Sequence, residues 1–194
     1  MEIINNKALL LKLRHPRQVT TVIPKSKEVN GKVLVKWGVD ETHVLKNLNI
    51  NVPSPINGRY DWPGQYKPFK HQKTTSAFLT MNRKAFCFNE QGTGKTASAI
   101  WASDFLIKQR IIKRVLVICP LSIMDSAWRN DLFSFAMHRS VDVAYGSADK
   151  RRKIINSGAE YVIINYDGVA IVADAISSGG FDRPLHKARW MPTA

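Results

Sequence analysis

The feature that most constrains this chain is Asn89-Glu90-Gln91-Gly92-Thr93-Gly94-Lys95-Thr96. It follows a short apolar run, Ala85-Phe86-Cys87-Phe88, which reads as a strand, and it opens a helical run from Ala97 to Gln109. Strand, glycine-rich turn, Gly-Lys-Thr and helix is the arrangement that holds a nucleoside triphosphate. Gly92 and Gly94 let the backbone curl and turn its N–H groups toward one point, where the helix N-terminus also favours anions. Lys95 would then reach the β- and γ-phosphates, and the Thr96 hydroxyl would hold Mg²⁺. The full pattern asks for a glycine where Asn89 stands, so the match is partial. The bland alternative is a glycine-rich turn with a surface lysine.

The 194 residues suit one domain of ordinary size with a small appendage, and 44% hydrophobic content can bury a real core. A net charge of +14 favours a polyanionic partner, most simply nucleic acid, although a generic basic surface has the same composition. Cys87 and Cys119 both lie in apolar runs and read as reduced core residues, not as a disulfide or metal site. No apolar run nears membrane-spanning length and the first residues lack the core of a secretory signal. The expected location is therefore cytoplasmic.

Residues 1–59 read as a small β-rich accessory region. Strands are expected at Ala8–Leu13, Val19–Ile23 and Lys32–Trp37, punctuated by Pro16, Pro24 and Asn30-Gly31, with a short helix from Asp40 through Leu48. A second region begins near Tyr60. Pro68-Phe69-Lys70-His71-Gln72 heads a helix to about Asn82, from which the Gln72 amide, with both a donor and an acceptor, can read an adenine edge. Ala97, Ile100, Trp101 and Phe105 recur at helical spacing, so Trp101 is a core residue. Arg114–Cys119 reads as a strand buried on both faces. Pro120-Leu121-Ser122 follows, with Ser122 and Asp125 placed for a capping box. Met124, Ala127, Trp128, Leu132 and Phe135 line one helical face, and further strands are expected at Val141–Tyr145 and Tyr161–Asn165. Lys150-Arg151-Arg152-Lys153 between them suits a phosphate-contacting patch or, more commonly, a charged, solvated helix face. The alternation of strands and helices predicts an α/β fold with a parallel sheet.

The order of these segments resembles the first RecA-like domain of superfamily 2 helicases, most closely the SNF2-type DNA translocases. Phe69 and Gln72 match the family's adenine-recognition motif. Asn89–Thr96 is similar to its Asp-Glu-Met-Gly-Leu-Gly-Lys-Thr loop, which also lacks the first glycine. Val117–Ser122 with Trp128, and Ile163-Ile164-Asn165-Tyr166-Asp167, resemble two motifs whose loops touch the DNA backbone. The resemblance implies ATP and Mg²⁺ as cofactors, with Phe69, Gln72, Asn89, Glu90, Gln91, Gly92, Thr93, Gly94, Lys95 and Thr96 around the nucleotide. It implies duplex DNA as partner, met by Pro120, Leu121, Ser122, Trp128, Asn165 and Tyr166. The β-rich start and Tyr60-Asp61-Trp62-Pro63 look like phage-encoded members of the group, which implies a bacterial or phage-infected cell. Residues 60–180 then form a RecA-like P-loop domain, preceded by the β-rich unit of residues 1–59.

The family next requires an apolar strand ending in Asp-Glu, the pair that orders Mg²⁺ and the attacking water. Here residues 181–194 form an atypical tail with prolines and charges and no such pair, so no catalytic residue is identified. The expectation is a truncated or frameshifted helicase with an incomplete sheet, able to hold ATP but doubtful in turnover, and served by a complementary chain that carries the rest. Two other readings stay open. One is a non-catalytic DNA-binding or interaction protein with a relic ATP site. The other is an unrelated P-loop kinase or GTPase, for which the only Asn-Lys, Asn6-Lys7, runs into Ala8-Leu9 instead of a guanine reader.

Overall fold

The computed structural model describes residues 1–186, with side chains described through Asp182. The chain divides into two compact units, one of Met1–Asp61 with Ala77–Asn82, the other of Trp62–Ser76 with the chain from Arg83 onward. The expected atypical tail thus lies partly outside the described residues.

The first unit carries a four-stranded antiparallel sheet of β1 (Glu2–Ile4), β2 (Ala8–Leu11), β3 (Lys27–Val29) and β4 (Lys32–Lys36), in the order β1-β2-β4-β3. Asn30 and Gly31 both take positive φ, 49° and 70°, which matches the right-handed twist of the β3–β4 hairpin. Alternation along β2 and β4 buries Leu9, Leu11, Val33 and Val35. These join Val19, Ile23, Trp37, Leu45 and Val52 in one core. The expected strand at Val19–Ile23 is instead helix α1 (Pro16–Val22). Val19 and Ile23 are buried while Thr21 between them is exposed, whereas a strand would place all three on one face. Pro16 at the first helical position, where no N–H is needed, starts the turn. Helices α2 (Val39–Asn47) and α3 (Ile56–Arg59) follow. Arg59 Nη1 donates to Trp37 O at 2.8 Å, and Trp37 Nε1 donates to Pro53 O at 2.9 Å.

The second unit is α/β with a parallel sheet. After the first part of α4 (Lys70–Met81, of which the residues from Ala77 belong to the first unit) and α5 (Lys95–Lys108) come β5 (Val115–Cys119), α6 (Asn130–Ala136), β6 (Val141–Ala144), α7 (Ala148–Ile155), β7 (Tyr161–Asn165), α8 (Tyr166–Ile171), α9 (Ala173–Ser178) and β8 (Arg183–His186). The order is β6-β7-β5-β8, all parallel. β5 and β7 are buried at every residue because each has a strand on both sides and cover on both faces. One face packs Leu116, Ile118, Val162 and Ile164 against Ile155, Val172 and Ala175. Among the described residues no helix is long and apolar enough to cross a membrane.

Four local expectations are corrected. Ala85–Phe88 forms no strand. No neighbour pairs with it among the described residues, so Phe86 and Phe88 stand 76% and 85% exposed with their rings stacked at 5.8 Å. Cys87 within it is accordingly only partly buried, whereas Cys119 is buried. Ser122 caps nothing: Leu121–Ile123 is a 3-10 turn that runs into a π-helical segment, Met124–Arg129. The tail does begin as a strand. Asp182 Oδ2 accepts from the Lys113 and Arg114 backbone N–H groups at 2.5 and 3.2 Å, which aligns Arg183–His186 beside β5. A ladder is made by the main chain, and an edge strand tolerates the missing N–H of Pro184.

Candidate functional site

The glycine-rich loop is built around two left-handed residues. Gly92 has φ 78° and Gly94 has φ 73°, and Gly94 is the N-cap of α5. A Cβ at Gly92 would meet nothing within 4 Å, whereas one at Gly94 would collide with Gln72 Nε2. The loop is therefore open at Gly92 and closed against a side chain at Gly94. Lys95 folds back over it, and its Nζ donates to Asn89 O and Glu90 O, each at 2.7 Å. Thr93 Oγ1 tightens the turn by donating to Glu90 O at 2.7 Å. Thr96, one residue into α5, is partly exposed.

The start of α4 grips this loop. Phe69 is the helix N-cap, since its carbonyl accepts from Lys73 N at 3.0 Å. Gln72 Oε1 accepts from Phe69 N at 2.9 Å, the reciprocal half of a capping box. The Gln72 amide nitrogen points at Thr93 O at 3.4 Å, and His71 Nε2 donates to the same carbonyl at 3.1 Å, which fixes the ring's hydrogen on Nε2. Phe69 lies 69% exposed, stacked on the His71 ring at 5.8 Å. One turn further, Thr75 Oγ1 accepts from Asn89 Nδ2 at 2.8 Å, and Ser76 Oγ donates to Ser98 O at 3.0 Å.

Phe69, Gln72 and Asn89–Thr96 are thus brought together. His71, Thr75 and Ser98 belong with them and were not singled out in the sequence. Thr75 lies three residues after Gln72 and four after His71, the helical spacing that could have singled it out. Lys95 and the N-terminus of α5, whose first turn carries no acidic residue, bring positive charge to the loop, and the Glu90 carboxylate within it is exposed. Among the described residues no group of three or more His, Cys, Asp or Glu could hold a metal ion.

The second set of expected contacts divides. Cys119 and Asn165 pair across the sheet, so the segments that follow β5 and β7 start side by side at its carboxyl edge. Pro120, Leu121 and Ser122 are exposed there, and Tyr166 is 42% exposed. Trp128 is not part of this surface. It is 3% exposed, in the core, with Nε1 buried and unpaired, so its ring cannot reach a ligand. Asn165 is 5% exposed, its Oδ1 held by Arg151 Nη1 at 2.8 Å.

A third group stands at the opposite ends of the strands. Buried Asp104 on α5 accepts from Arg139 Nε at 2.5 Å and contacts His138 Nε2 at 3.0 Å, and Arg139 Nη1 donates to Glu160 Oε1 at 2.6 Å. Ser103 Oγ donates to Ala99 O and Ile100 O, so Tyr161 O–H donates to Ser103 Oγ at 2.9 Å. Burial pushes the Tyr161 hydroxyl pKa well above its ordinary value, against a smaller lowering by that bond. This network ties α5 to the starts of β6 and β7 and has the character of a structural brace.

No family model and no curated protein matches the chain. Among solved structures it is similar to the Sulfolobus solfataricus SWI2/SNF2 ATPase core in complex with dsDNA, at 24% identity and a TM-score of 0.47. The match covers 55% of this chain and 23% of that one, so the chain spans less than a quarter of that protein's length.

Proposed function

We propose that this chain is the ATP-binding part of an SNF2-like, ATP-dependent DNA helicase or translocase. The observation that carries the reading is the curled loop itself, with Gly94 left-handed at the head of α5 and Lys95 Nζ closed onto Asn89 O and Glu90 O. An ammonium that spends its hydrogens on two loop carbonyls is poised to exchange them for phosphate oxygens, which are stronger, charged acceptors. The residues present fit ATP–Mg²⁺. Backbone N–H groups of Gly92 to Thr96 and Lys95 would hold the phosphates, Thr96 the cation, and the exposed Phe69 ring a base. Bound there, the nucleotide supplies the free energy of phosphoryl transfer. This chain's own part is to bind and orient it.

In the same reading Pro120, Leu121, Ser122, Asn165 and Tyr166 meet the phosphodiester backbone at the carboxyl edge, and the whole chain's net charge of +14 favours a polyanion. Residues 1–59 are an accessory unit and residues 60–180 the nucleotide domain. The test is ATP binding by the chain and by Lys95→Ala, followed by turnover with and without duplex DNA. Loss of at least tenfold in affinity in the variant is expected, since about 1.5–3 kcal/mol rides on a charged hydrogen bond. Binding that survives Lys95→Ala unchanged would sink the assignment. Binding without DNA-stimulated turnover would favour a non-catalytic relative that keeps the nucleotide site.

A further inference from the structure

Arg151 was expected on a solvated helix face with its basic neighbours, but it is 6% exposed. Its Nε donates to Gly146 O at 2.9 Å, and its Nη1 donates to Ala144 O at 2.7 Å and to Asn165 Oδ1 at 2.8 Å. Its guanidinium also lies over the Tyr145 ring, 5.7 Å from the centroid. No carboxylate pairs with it among the described residues. A buried arginine satisfied only by neutral acceptors is uncommon, because its charge stays uncompensated in a medium of low dielectric. All three acceptors sit at the carboxyl edge of the sheet: Ala144 ends β6, Gly146 follows it, and Asn165 ends β7.

Asn165 is equally unusual. It is the N-cap of α8, the position where an Asn side chain ordinarily accepts from the helix's first-turn N–H groups. It makes no such bond, because its Oδ1 is turned to Arg151. The orientation is forced. A guanidinium has only donors, so the amide must present its oxygen to Arg151 and turn its NH₂ away from it. Gly168 lets α8 close over the pair, since a Cβ there would strike Arg151 Nη1 and lie 2.7 Å from Asn165 Oδ1.

We propose that Arg151 is a positioning residue that holds the Asn165 amide with its NH₂ facing out of the carboxyl edge, as a donor to a phosphate oxygen of a nucleic-acid backbone. The inference rests on the reading that DNA lies along that edge. Arg151 does two things there. It blocks the flipped amide, which would offer an oxygen and repel the phosphate. It also polarises the amide, so that the outward N–H bonds are better donors than in a free Asn. The neutral Asn is essential to this arrangement. An Asp at 165 would compensate the guanidinium more fully but would leave no outward donor.

The experiment measures binding of the full chain to a short duplex DNA across a salt series, for wild type, Asn165→Asp, Arg151→Gln and the double variant, with thermal melting of each. Asn165→Asp should melt at or above the wild-type temperature, because it creates a buried ion pair, yet bind duplex about tenfold more weakly. A purely structural pair would instead bind as wild type once that bond is restored. Arg151→Gln should weaken binding severalfold, and the double variant should be no weaker than the worse single one, because both act through one contact. Should either variant fail to fold, the unmodified chain still decides the matter. The Asn165 side-chain NH₂ resonances should shift on adding duplex. Asn165→Asp binding like wild type, multiplicative losses, or an unmoved NH₂ signal would each overturn the proposal while leaving the DNA reading intact. Absence of salt-sensitive duplex binding by wild type would remove both.

Discussion

Gly92 and Gly94 are two residues apart, with φ within 5° of each other, yet the structure sets different costs for replacing them. Either glycine changed to alanine places a Cβ in the left-handed region, which costs about 1–2 kcal/mol. The stiffer unfolded chain returns part of that, so a net loss of about 1 kcal/mol remains. At Gly92 this is the whole effect, because the new methyl meets open space. At Gly94 the methyl also displaces the Gln72 amide, the far end of a flexible side chain. Moving it is sterically cheap, but it breaks the capping-box bond to Phe69 N, worth about 1 kcal/mol at a helix start. The bond to Thr93 O is long, and His71 still holds that carbonyl, so little is added there. Gly94→Ala should therefore cost about 2 kcal/mol and Gly92→Ala about 1 kcal/mol. In a Gln72→Ala background the capping bond is already gone, and Gly94→Ala should fall back to about 1 kcal/mol, a coupling of about 1 kcal/mol. Urea unfolding followed by tryptophan fluorescence measures all four free energies, since Trp62 and Trp101 are buried in the same unit. Equal costs at the two glycines, or Gly94→Ala and Gln72→Ala that simply add, would refute the claim that Gln72 is seated on the loop.

Two further outcomes follow from buried groups. Burial raises the Tyr161 pKa, so the folded chain keeps that proton while the unfolded chain releases it from about pH 10. The folded state then binds more protons, and stability falls as pH rises above about 10. Tyr161→Phe should cost about 1 kcal/mol at neutral pH through the lost Ser103 bond, but should lose stability less steeply above about pH 10 in alkaline melts. Trp128→Phe should be close to neutral, within about 1 kcal/mol, because the lost volume is offset by removing an indole N–H that is buried without an acceptor. A loss of several kcal/mol in urea titration would show that this N–H is satisfied.

How much could be read in advance depended on where the deciding forces act. The Gly-x-Gly-Lys-Thr turn, the apolar runs that became β5 and β7, and the spacing of Ile100, Trp101 and Phe105 were legible because each is written within a few residues. Only a glycine takes φ near 75° cheaply, and a strand covered on both faces must be apolar throughout. The helix at Pro16–Val22 was misread because Val19 and Ile23 suit either period, and only the exposure of Thr21 separates them.

The chain's own residue order determined an α/β fold with a parallel sheet, a small β-rich start and a glycine-rich loop at a helix head. Tertiary structure alone decided which of those residues can touch a ligand. Ala85–Phe88 has strand composition but no ladder neighbour, and a strand exists only where another backbone answers its hydrogen bonds. Trp128 and Arg151 carry the side chains of a surface contact, yet the packing of neighbouring elements buries both. The orientation of Asn165 depends on a guanidinium fourteen residues away in sequence. Burial and hydrogen-bond partners across such separations are properties of the folded whole, because the groups that supply them meet only when the chain closes.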